Sequence, residues 1–429
     1  AAAILAGMAL FVAAFLPADA AKIVTRTLPN GVTLIAAPDP ALRLASLDVW
    51  VRAGAALEKP EEAGAAHFLE HVIFKGTPTR PAGKLDQEIE SMGATLNAQT
   101  SRDWAHFYTT VAAEYLDTAI DVLSDALLNP AFKDNDVERE RRVIQLEIAS
   151  RRAEPMQVLD EAMAEALFGG HPYGRPVYGT VEQVKAMNAA KLRAFRDRCY
   201  TGAAMTVIVT GNVDPEDVLK KLAARFDRVP RGEAAAWPDA AAGPKSRTTV
   251  DLPRAGDGSE WLGICFLGPS IADPADVWAT DMLVSCLVRR GAGIVHDRLV
   301  TRDKIALAAD TSFLTQRLPS LIGLAVTPLS GKTDGCASAV LEEIGRIRTG
   351  GVPEAELEQA RRFVLGTYAF DVETASGQAS SLGFYSVISS VQDSVNYIAS
   401  VRAVTAADVK RVAGKYLDPD RAVIVRMSK

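Results

Sequence analysis

The feature that most constrains this chain is the run His67–His71 (HFLEH), in a protein of 429 residues with only five histidines. In an α-helix of about 3.6 residues per turn, positions four apart lie on one face, so both imidazoles can reach one metal ion. Glu70 lies beside that face, within reach of a water molecule at the metal. The H-x-x-E-H order is the inverse of the H-E-x-x-H zinc motif, and two neutral imidazoles suit zinc. The pattern predicts a zinc-bearing helix; shared solvation or a buried hydrogen bond is the ordinary alternative.

A third ligand is predicted in the segment Asp134–Arg152, which reads as a charged amphipathic helix. Its expected apolar stripe consists of Val137, Val143, Ile144 and Ile148. Glu147 stands among apolar residues in the sequence, where a carboxylate needs a reason to be, so we favour it as the ligand. Glu140 lies seven residues earlier and nearly on the same face. Most of the remaining charges in residues 138–142 are expected to form a solvated, salt-bridged face.

The chain resembles the pitrilysin (M16) family of zinc metallopeptidases, and in particular its short-chain branch, which includes the mitochondrial processing peptidase β subunit. Besides HFLEH, the resemblance rests on residues 72–77 (VIFKGT), 93–101 (GATLNAQTS), 138–140 (ERE), 143–148 (VIQLEI), 171–176 (HPYGRP) and 179–180 (GT). It runs from about Lys22 to the C-terminus, and its motifs are specific in the first half and diffuse in the second.

The resemblance implies a zinc site and a mechanism. His67, His71 and Glu147 would be the ligands of one Zn²⁺ per chain, and Glu70 would be the general base for peptide hydrolysis. Glu140 would orient one of the ligands, as metal sites usually require. No serine or cysteine lies in a recognisable nucleophile motif, so the sequence gives no support to that chemistry.

The resemblance also implies residues that bind a peptide substrate. Asn97 and Ala98 would lie on an exposed edge strand that pairs with extended peptide, and Phe74 would contact substrate. Independently, residues 96–100 come after a glycine and precede an aromatic run, as a hairpin in a sheet would. A turn residue is the alternative interpretation of Asn97.

One segment departs from the family pattern. Catalytically complete members carry an Arg and a Tyr in the second domain that bind substrate and help to stabilise the transition state. The corresponding segment here, Gly291–Asp310, has Leu307 in place of the Tyr and an aliphatic residue in place of the Arg. Arg298 and Arg302 are nearby, but no Tyr follows either. The chain therefore resembles the zinc-bearing subunit of a bacterial two-subunit peptidase, and we expect a heterodimer with a homologous subunit that carries the Arg/Tyr pair.

The N-terminus has the pattern of a targeting segment. Ala3–Leu16 is small and apolar, and Pro17 and an Ala18-Asp19-Ala20 cleavage pattern come after it. We expect a signal peptide over residues 1–20 and export to a bacterial periplasm, without a stable membrane anchor. A retained anchor is the alternative.

Length and charge limit the remaining choices. A chain of 429 residues is too long for one compact core. The net charge of −6, without a basic cluster, argues against a nucleic-acid binder. The four cysteines are widely spaced, which favours buried free thiols and leaves one disulfide as the alternative.

We predict an α+β fold of two similar α/β-sandwich halves, each a mostly antiparallel sheet plus helices, which form a clam shell on dimerisation. The expected units are a zinc-binding peptidase domain over residues 21–230, an Ala/Pro/Gly-rich linker over 231–247 and a C-terminal domain over 248–429. Ile23–Leu28 and Val32–Ala36 flank a Pro-Asn-Gly turn and predict a hairpin.

Two functions of other classes remain as alternatives. A non-catalytic scaffold or peptide-binding subunit would have no need for Glu70. A metal-storage protein would need neither a general base beside its ligands nor a second large domain.

Overall fold

The computed structural model describes residues 23–429, so the predicted signal peptide lies outside the described residues. The strands of this part are β1 (Val24–Thr27), β2 (Thr33–Pro38), β3 (Leu44–Val51), β4 (Asn97–Thr100), β5 (Ala105–Ala112), β6 (Met205–Gly211), β7 (Thr248–Leu252), β8 (Trp261–Leu267), β9 (Ala306–Phe313), β10 (Leu321–Pro328) and β11 (Val423–Met427).

Helices connect these strands and cover the sheets. They are α1 (Ala65–Ile73), α2 (Lys84–Glu90), α3 (Leu116–Leu128), α4 (Asp134–Ala153), α5 (Pro155–Phe168), α6 (Val181–Ala186), α7 (Ala189–Cys199), α8 (Pro215–Phe226), α9 (Pro274–Leu287), α10 (Ile294–His296), α11 (Thr333–Gly350), α12 (Glu354–Asp371), α13 (Ala375–Ile388), α14 (Val391–Ala403) and α15 (Ala406–Tyr416).

The strands form two sheets with the same topology. The first has the order β1-β2-β6-β3-β5-β4 and the second the order β7-β11-β8-β10-β9. In the first sheet the last strand in sequence, β6, is parallel to β2 and antiparallel to β3. In the second sheet the last strand, β11, is parallel to β7 and antiparallel to β8 in the same way. The remaining pairs are antiparallel, and β1 is an addition to the first sheet. The predicted α+β class with two similar halves is confirmed.

Each half covers one face of the other half's sheet with a helix. Helix α5 packs on the second sheet, where Gly263 leaves room for Met163. Helix α13 packs on the first sheet, where Gly383 leaves room for Trp50, and Thr210 donates a hydrogen bond of 2.6 Å to the carbonyl oxygen of Ala375. The two halves are therefore interlocked through their cores and are not connected by the chain alone.

Several sequence predictions can be compared directly with these elements. The hairpin is present as β1 and β2. Between Phe226 and Thr248 the chain has no helix or strand. All four cysteines are buried and free, as the spacing favoured. The motifs did not indicate α6 and α7 or the division of residues 375–416 into α13, α14 and α15.

Among residues 23–429, no helix combines the length and the apolar character that crossing a bilayer requires.

Candidate metal centre

The helix that carries the H-x-x-E-H motif, α1, begins at a glycine in the left-handed conformation. Gly64 has φ of +89°, and a Cβ atom there would lie 2.7 Å from the carbonyl oxygen of Tyr178. Gly179, with φ of +69°, approaches the carbonyl oxygen of Ala63 in the same way. The two glycines let the segment around Tyr178 lie directly against the start of the motif helix.

A buried carboxylate holds the first turn of α1. Glu58 accepts hydrogen bonds from the backbone N–H groups of Gly64 at 3.0 Å and Ala66 at 2.8 Å, one to each carboxylate oxygen. These are N–H groups that an isolated helix leaves without partners. Burial raises the pKa of Glu58 to about 8, although the two backbone hydrogen bonds and Arg175 oppose that shift. Glu58 therefore fixes the helix one residue before the first motif histidine.

The apolar side of α1 anchors it in the core of the first half. Phe68, Leu69, Val72 and Ile73 are buried there. The remaining face presents the motif histidines to α4 and presents Glu70 to β4. Because the amphipathic spacing fixes which side is buried, the chemistry-bearing side chains share the opposite side.

The structure brings the three predicted ligands together. The Nε2 atoms of His67 and His71 lie 3.6 and 3.5 Å from Oε2 of Glu147. One donor atom from each residue lies within 4.8 Å of the other two, and this is the single His/Cys/Asp/Glu cluster of that kind in residues 23–429. The i,i+4 histidine spacing and the helix carrying Glu147 were both predicted from the sequence.

The donor set fits a zinc ion. Distances of 3.5 and 3.6 Å are long for a hydrogen bond. They are close to the separation of about 3.4 Å between two ligand atoms on one tetrahedral zinc with bonds of about 2.0–2.2 Å. Nδ1 of His67 is buried without a hydrogen-bond partner, so that imidazole is not held in place by the protein through its second nitrogen.

Glu140 lies where a residue that orients a ligand is expected. Its Oε2 lies 3.2 Å from Nδ1 of His71, and its Oε1 lies 3.2 Å from Nζ of Lys75. When Nδ1–H of His71 donates to Glu140, the Nε2 lone pair is directed to the cluster. Lys75 offsets the charge of this buried carboxylate.

Burial and the neighbouring charges shift the pKa values of all three residues of the cluster. Burial lowers the pKa of His67 to about 4, and the neighbouring His71 adds to the effect. The His71 imidazole lowers the pKa of Glu147 to about 2. Burial lowers the pKa of His71, but its contacts with Glu147 and Glu140 outweigh burial and raise it. A metal ion at this site therefore competes with a proton on His71.

Glu70 is tied to the neighbouring strand and does not join the ligand cluster. Its Oε2 accepts a hydrogen bond of 2.5 Å from Oγ1 of Thr100, the last residue of β4. Burial raises the pKa of the Glu70 carboxyl, and the Thr100 hydrogen bond opposes that shift. A carboxyl with a raised pKa beside a metal cluster is suited to accepting and returning a proton near neutral pH.

The predicted substrate residues lie on and beside a free sheet edge. β4 pairs only with β5, so its outer edge has no partner strand in the described part of the chain. Asn97 is exposed and Ala98 is partly buried on this strand. The Asn97 side chain also donates to Thr95, so it has the local contacts of a turn residue as well. Phe74 ends α1, half-buried edge-on against Phe107.

One detail of the sequence interpretation of α4 is wrong. Val143 was expected in the buried stripe but is 45% exposed, and Leu146 is 72% exposed. Glu147 is therefore not enclosed by buried apolar neighbours, and its side chain is partly exposed beside the histidines. The spacing placed Val137, Ile144 and Ile148 correctly in the core.

The segment that departs from the family pattern has no free arginine or tyrosine at the expected place. Leu307 lies on the edge strand β9 and is 66% exposed. Arg298 forms ion pairs with Asp303, Glu342 and Glu343. Arg302 also pairs with Asp303 and Glu343.

Sequence reasoning did not identify four side chains at this site: Glu58, Thr100, Arg151 and Tyr178. Only Arg151 gave a local signal, its i+4 spacing from Glu147. The other three reach the site through tertiary contacts between distant segments.

Two family models match consecutive parts of the chain. Residues 34–181 match the family described as insulinase (peptidase family M16), and residues 186–364 match the peptidase M16 inactive domain. The zinc-motif helix and Glu147 lie in the first match.

Similar proteins cover most of the chain. An uncharacterised zinc protease of Mycobacterium leprae is 32% identical over 381 residues, 85% of this chain and 82% of that protein. A probable mitochondrial-processing peptidase subunit beta of Arabidopsis thaliana is 29% identical over 92% of this chain and 77% of that protein. The crystal structure of a protease from Helicobacter pylori shares the fold, with a TM-score of 0.89, 21% identity and coverage of 95% of this chain and 99% of that one.

Proposed function

The chain belongs to the M16 (insulinase) family of zinc-dependent peptidases, and on that premise we propose that it hydrolyses peptides at one zinc ion per chain held by His67, His71 and Glu147. The observation that carries the proposal is the convergence of these three donors around one point, next to the carboxyl of Glu70. An ion pair that only stabilises the fold would need one partner for Glu147, and here two histidines face the same carboxylate oxygen.

The residues of the chain supply positioning and proton transfer. When bound, zinc supplies a Lewis acid that polarises the scissile carbonyl and makes water a stronger nucleophile. Glu70 accepts a proton from the attacking water and later passes it to the leaving amine. Thr100 holds the Glu70 carboxyl in place through one oxygen and leaves the other oxygen for that transfer.

We propose an extended peptide as the substrate, bound as an added strand along the free edge of β4. The support is that Glu70 is hydrogen-bonded to the end of this strand, so a peptide paired with Asn97 and Ala98 would run past the general base. Backbone pairing is independent of side chains, which suits an endopeptidase acting on varied sequences. Phe74 would contact a side chain of the substrate.

We further propose that activity requires a second, homologous subunit, which supplies an Arg/Tyr pair and encloses the peptide together with this chain. The support is Leu307, an aliphatic residue at the position expected for the tyrosine, and the engagement of Arg298 and Arg302 in ion pairs. Transition-state donors of this kind commonly contribute about 10²–10³-fold in rate. The periplasm stays the proposed compartment.

The test is peptide-library cleavage by the purified chain, alone and co-expressed with a homologue that carries the Arg/Tyr pair but lacks H-x-x-E-H. We expect weak cleavage by the single chain and at least about 10²-fold more with the partner. A chelator should abolish both activities, and zinc should restore them. Strong cleavage without a partner would overturn the two-subunit proposal, and cleavage that survives complete zinc removal would overturn the proposed mechanism.

A further inference from the structure

The two oxygens of the Glu147 carboxylate have different partners. Oε2 faces Nε2 of His67 and Nε2 of His71. Oε1 accepts two hydrogen bonds from Arg151, from Nε at 3.1 Å and from Nη2 at 3.0 Å. This division leaves one oxygen for the metal and occupies the other.

The Arg151 guanidinium is itself held over an aromatic ring. Its Cζ atom lies 5.1 Å from the centroid of the Tyr178 ring, within the range of a cation–π contact. Tyr178 is only 7% exposed, and its ring lies edge-on to His67 with centroids 6.4 Å apart. The same tyrosine therefore contacts one metal ligand and the arginine that holds another.

The backbone fixes Tyr178 at this position. The carbonyl oxygen of Tyr178 lies so close to Gly64 that a Cβ atom there would come within 2.7 Å, and Gly179 packs in the same manner against Ala63. Tyr178 is consequently anchored to the start of the motif helix. Arg151 and Glu147, by contrast, lie on α4, so Tyr178 connects the two ligand-bearing helices.

We propose that Arg151 and Tyr178 form a clamp that orients Glu147 so that Oε2 alone faces the histidine pair. An ordinary i,i+4 ion pair on a helix surface stabilises the helix only slightly. A lone cation beside a zinc site would weaken metal binding through charge repulsion. The clamp predicts the opposite, because residues that orient a ligand typically raise metal affinity about 10–100-fold.

The chain offers a matched control on the same helix. Arg142 pairs with Glu138, also at i,i+4, but at 3.7 Å and with side chains that are 75% and 52% exposed. Arg142→Met removes the same kind of side chain and ion pair without affecting the clamp. Any general effect of losing an arginine from α4 should therefore occur in both variants.

The experiment measures the zinc dissociation constant by competition with a chromophoric chelator. It uses the full chain, with thermal unfolding of the metal-free protein as the check of folding. Arg151→Met should raise the dissociation constant about 10-fold or more, and Arg142→Met should leave it unchanged. Arg151→Lys keeps the charge but loses the planar fork, so we expect it to resemble Arg151→Met. If Arg151→Met does not fold, the zinc dissociation constant of Arg151→Lys provides the same test.

Variants of Tyr178 separate its ring from its hydroxyl group. Tyr178→Phe keeps the ring face and should bind zinc as tightly as the wild type, whereas Tyr178→Leu should be weakened like Arg151→Met. The absorption spectrum of the cobalt-substituted protein should change in Arg151→Met, since a freed Oε1 alters the coordination.

The inference rests on the proposed zinc site, and the two fail in different ways. A wild type that binds no zinc would overturn both. A wild type that binds zinc, together with folded Arg151→Met and Tyr178→Leu variants of equal or higher affinity, would overturn the clamp alone.

Discussion

The two halves of this protein share one sheet topology. They differ in the helix that follows a corresponding inner strand, which is β3 in the first sheet and β8 in the second. In the first half, α1 comes after β3 and carries His67, Glu70 and His71. In the second half, α9 comes after β8 at the corresponding place, and its residues are mostly buried without a histidine. The comparison shows that the scaffold alone does not bring catalytic chemistry. The candidate site depends instead on a few side chains that α1 and α4 bring together.

The polar groups of the two helices serve different purposes. On α9, buried Asp276 binds Arg411, Lys415 and Tyr416 of the last helix, α15, and so ties two helices together. On α1, His67 and His71 face Glu147 in the candidate metal centre, and Glu70 faces the end of the edge strand β4. The same position in the fold therefore joins two helices in one half and holds the candidate metal site in the other.

The largest difference between the halves should appear when one carboxyl group in each half is replaced by an amide. Glu70→Gln cannot accept a proton and should lose about 10²–10⁴-fold in turnover while it retains zinc and fold. Asp276→Asn, on the corresponding helix, should destabilise the protein and leave the turnover of folded molecules unchanged. Turnover, zinc content and urea unfolding measured on both variants test this. Near-normal turnover by Glu70→Gln would assign the general base to another group.

A second comparison concerns the buried carboxyl groups of Glu58 and Glu62, in the segment that precedes the motif helix. Glu58→Gln replaces one acceptor for the N–H groups of Gly64 and Ala66 with a donor, and we expect a loss of about 1–3 kcal/mol in unfolding free energy. Because the helix start would loosen next to His67, zinc affinity should fall as well.

Glu62→Gln is the control, since Glu62 is buried in the same loop but binds Arg198. It should lower stability without changing zinc affinity. Equal zinc affinity in the two variants would show that Glu58 stabilises the loop and does not position the helix.

The smallest effect we predict is a pH dependence of the unfolding free energy that comes from Asp276 in the second half. Burial raises the pKa of Asp276, but the hydrogen bonds from Lys415, Tyr416 and Arg411 outweigh it and bring the pKa to about 2, below its ordinary value of 3.8. Because the folded-state pKa is lowered, the carboxylate stabilises the fold above pH 3.8, and this contribution is lost as the pH falls toward 2.

With exposed partners screening the charge, the contribution should be about 1–2 kcal/mol. Urea unfolding of the wild type and of Asp276→Asn should therefore differ by this amount at pH 6 and converge near the folded-state pKa. A difference that does not change with pH would show that lost packing, and not the charge, accounts for the effect of the substitution.

The sequence predicted what depends on local spacing. The i,i+4 histidines of α1, the long helix of Glu147 and the β1–β2 hairpin follow from periodicity and turn residues, which act over a few positions. The sequence did not reveal contacts that depend on how distant segments meet, such as Thr100 with Glu70 or Tyr178 with Arg151.

One wrong prediction and one helix that the sequence did not indicate have a physical cause of the same kind. Val143 has an apolar side chain but lies on the outer side of α4, opposite the face through which Val137, Ile144 and Ile148 contact the core. Helix α13 is rich in Gly and Ser, which are weak helix formers, and packing on the other half's sheet stabilises it. Packing between distant segments determines both the exposure of Val143 and the helix α13. Local sequence patterns carry no information about such packing.

The central claim is that the first half alone holds a zinc ion through His67, His71 and Glu147. Its most direct test is the zinc content per chain of the wild type, His71→Ala and Glu147→Gln, with His296→Ala as the control because His296 is the only histidine in residues 248–429. We predict about one zinc per chain in the wild type and in His296→Ala, and strongly reduced zinc in the other two variants. Full occupancy in His71→Ala and Glu147→Gln, or loss of zinc in His296→Ala, would contradict the claim.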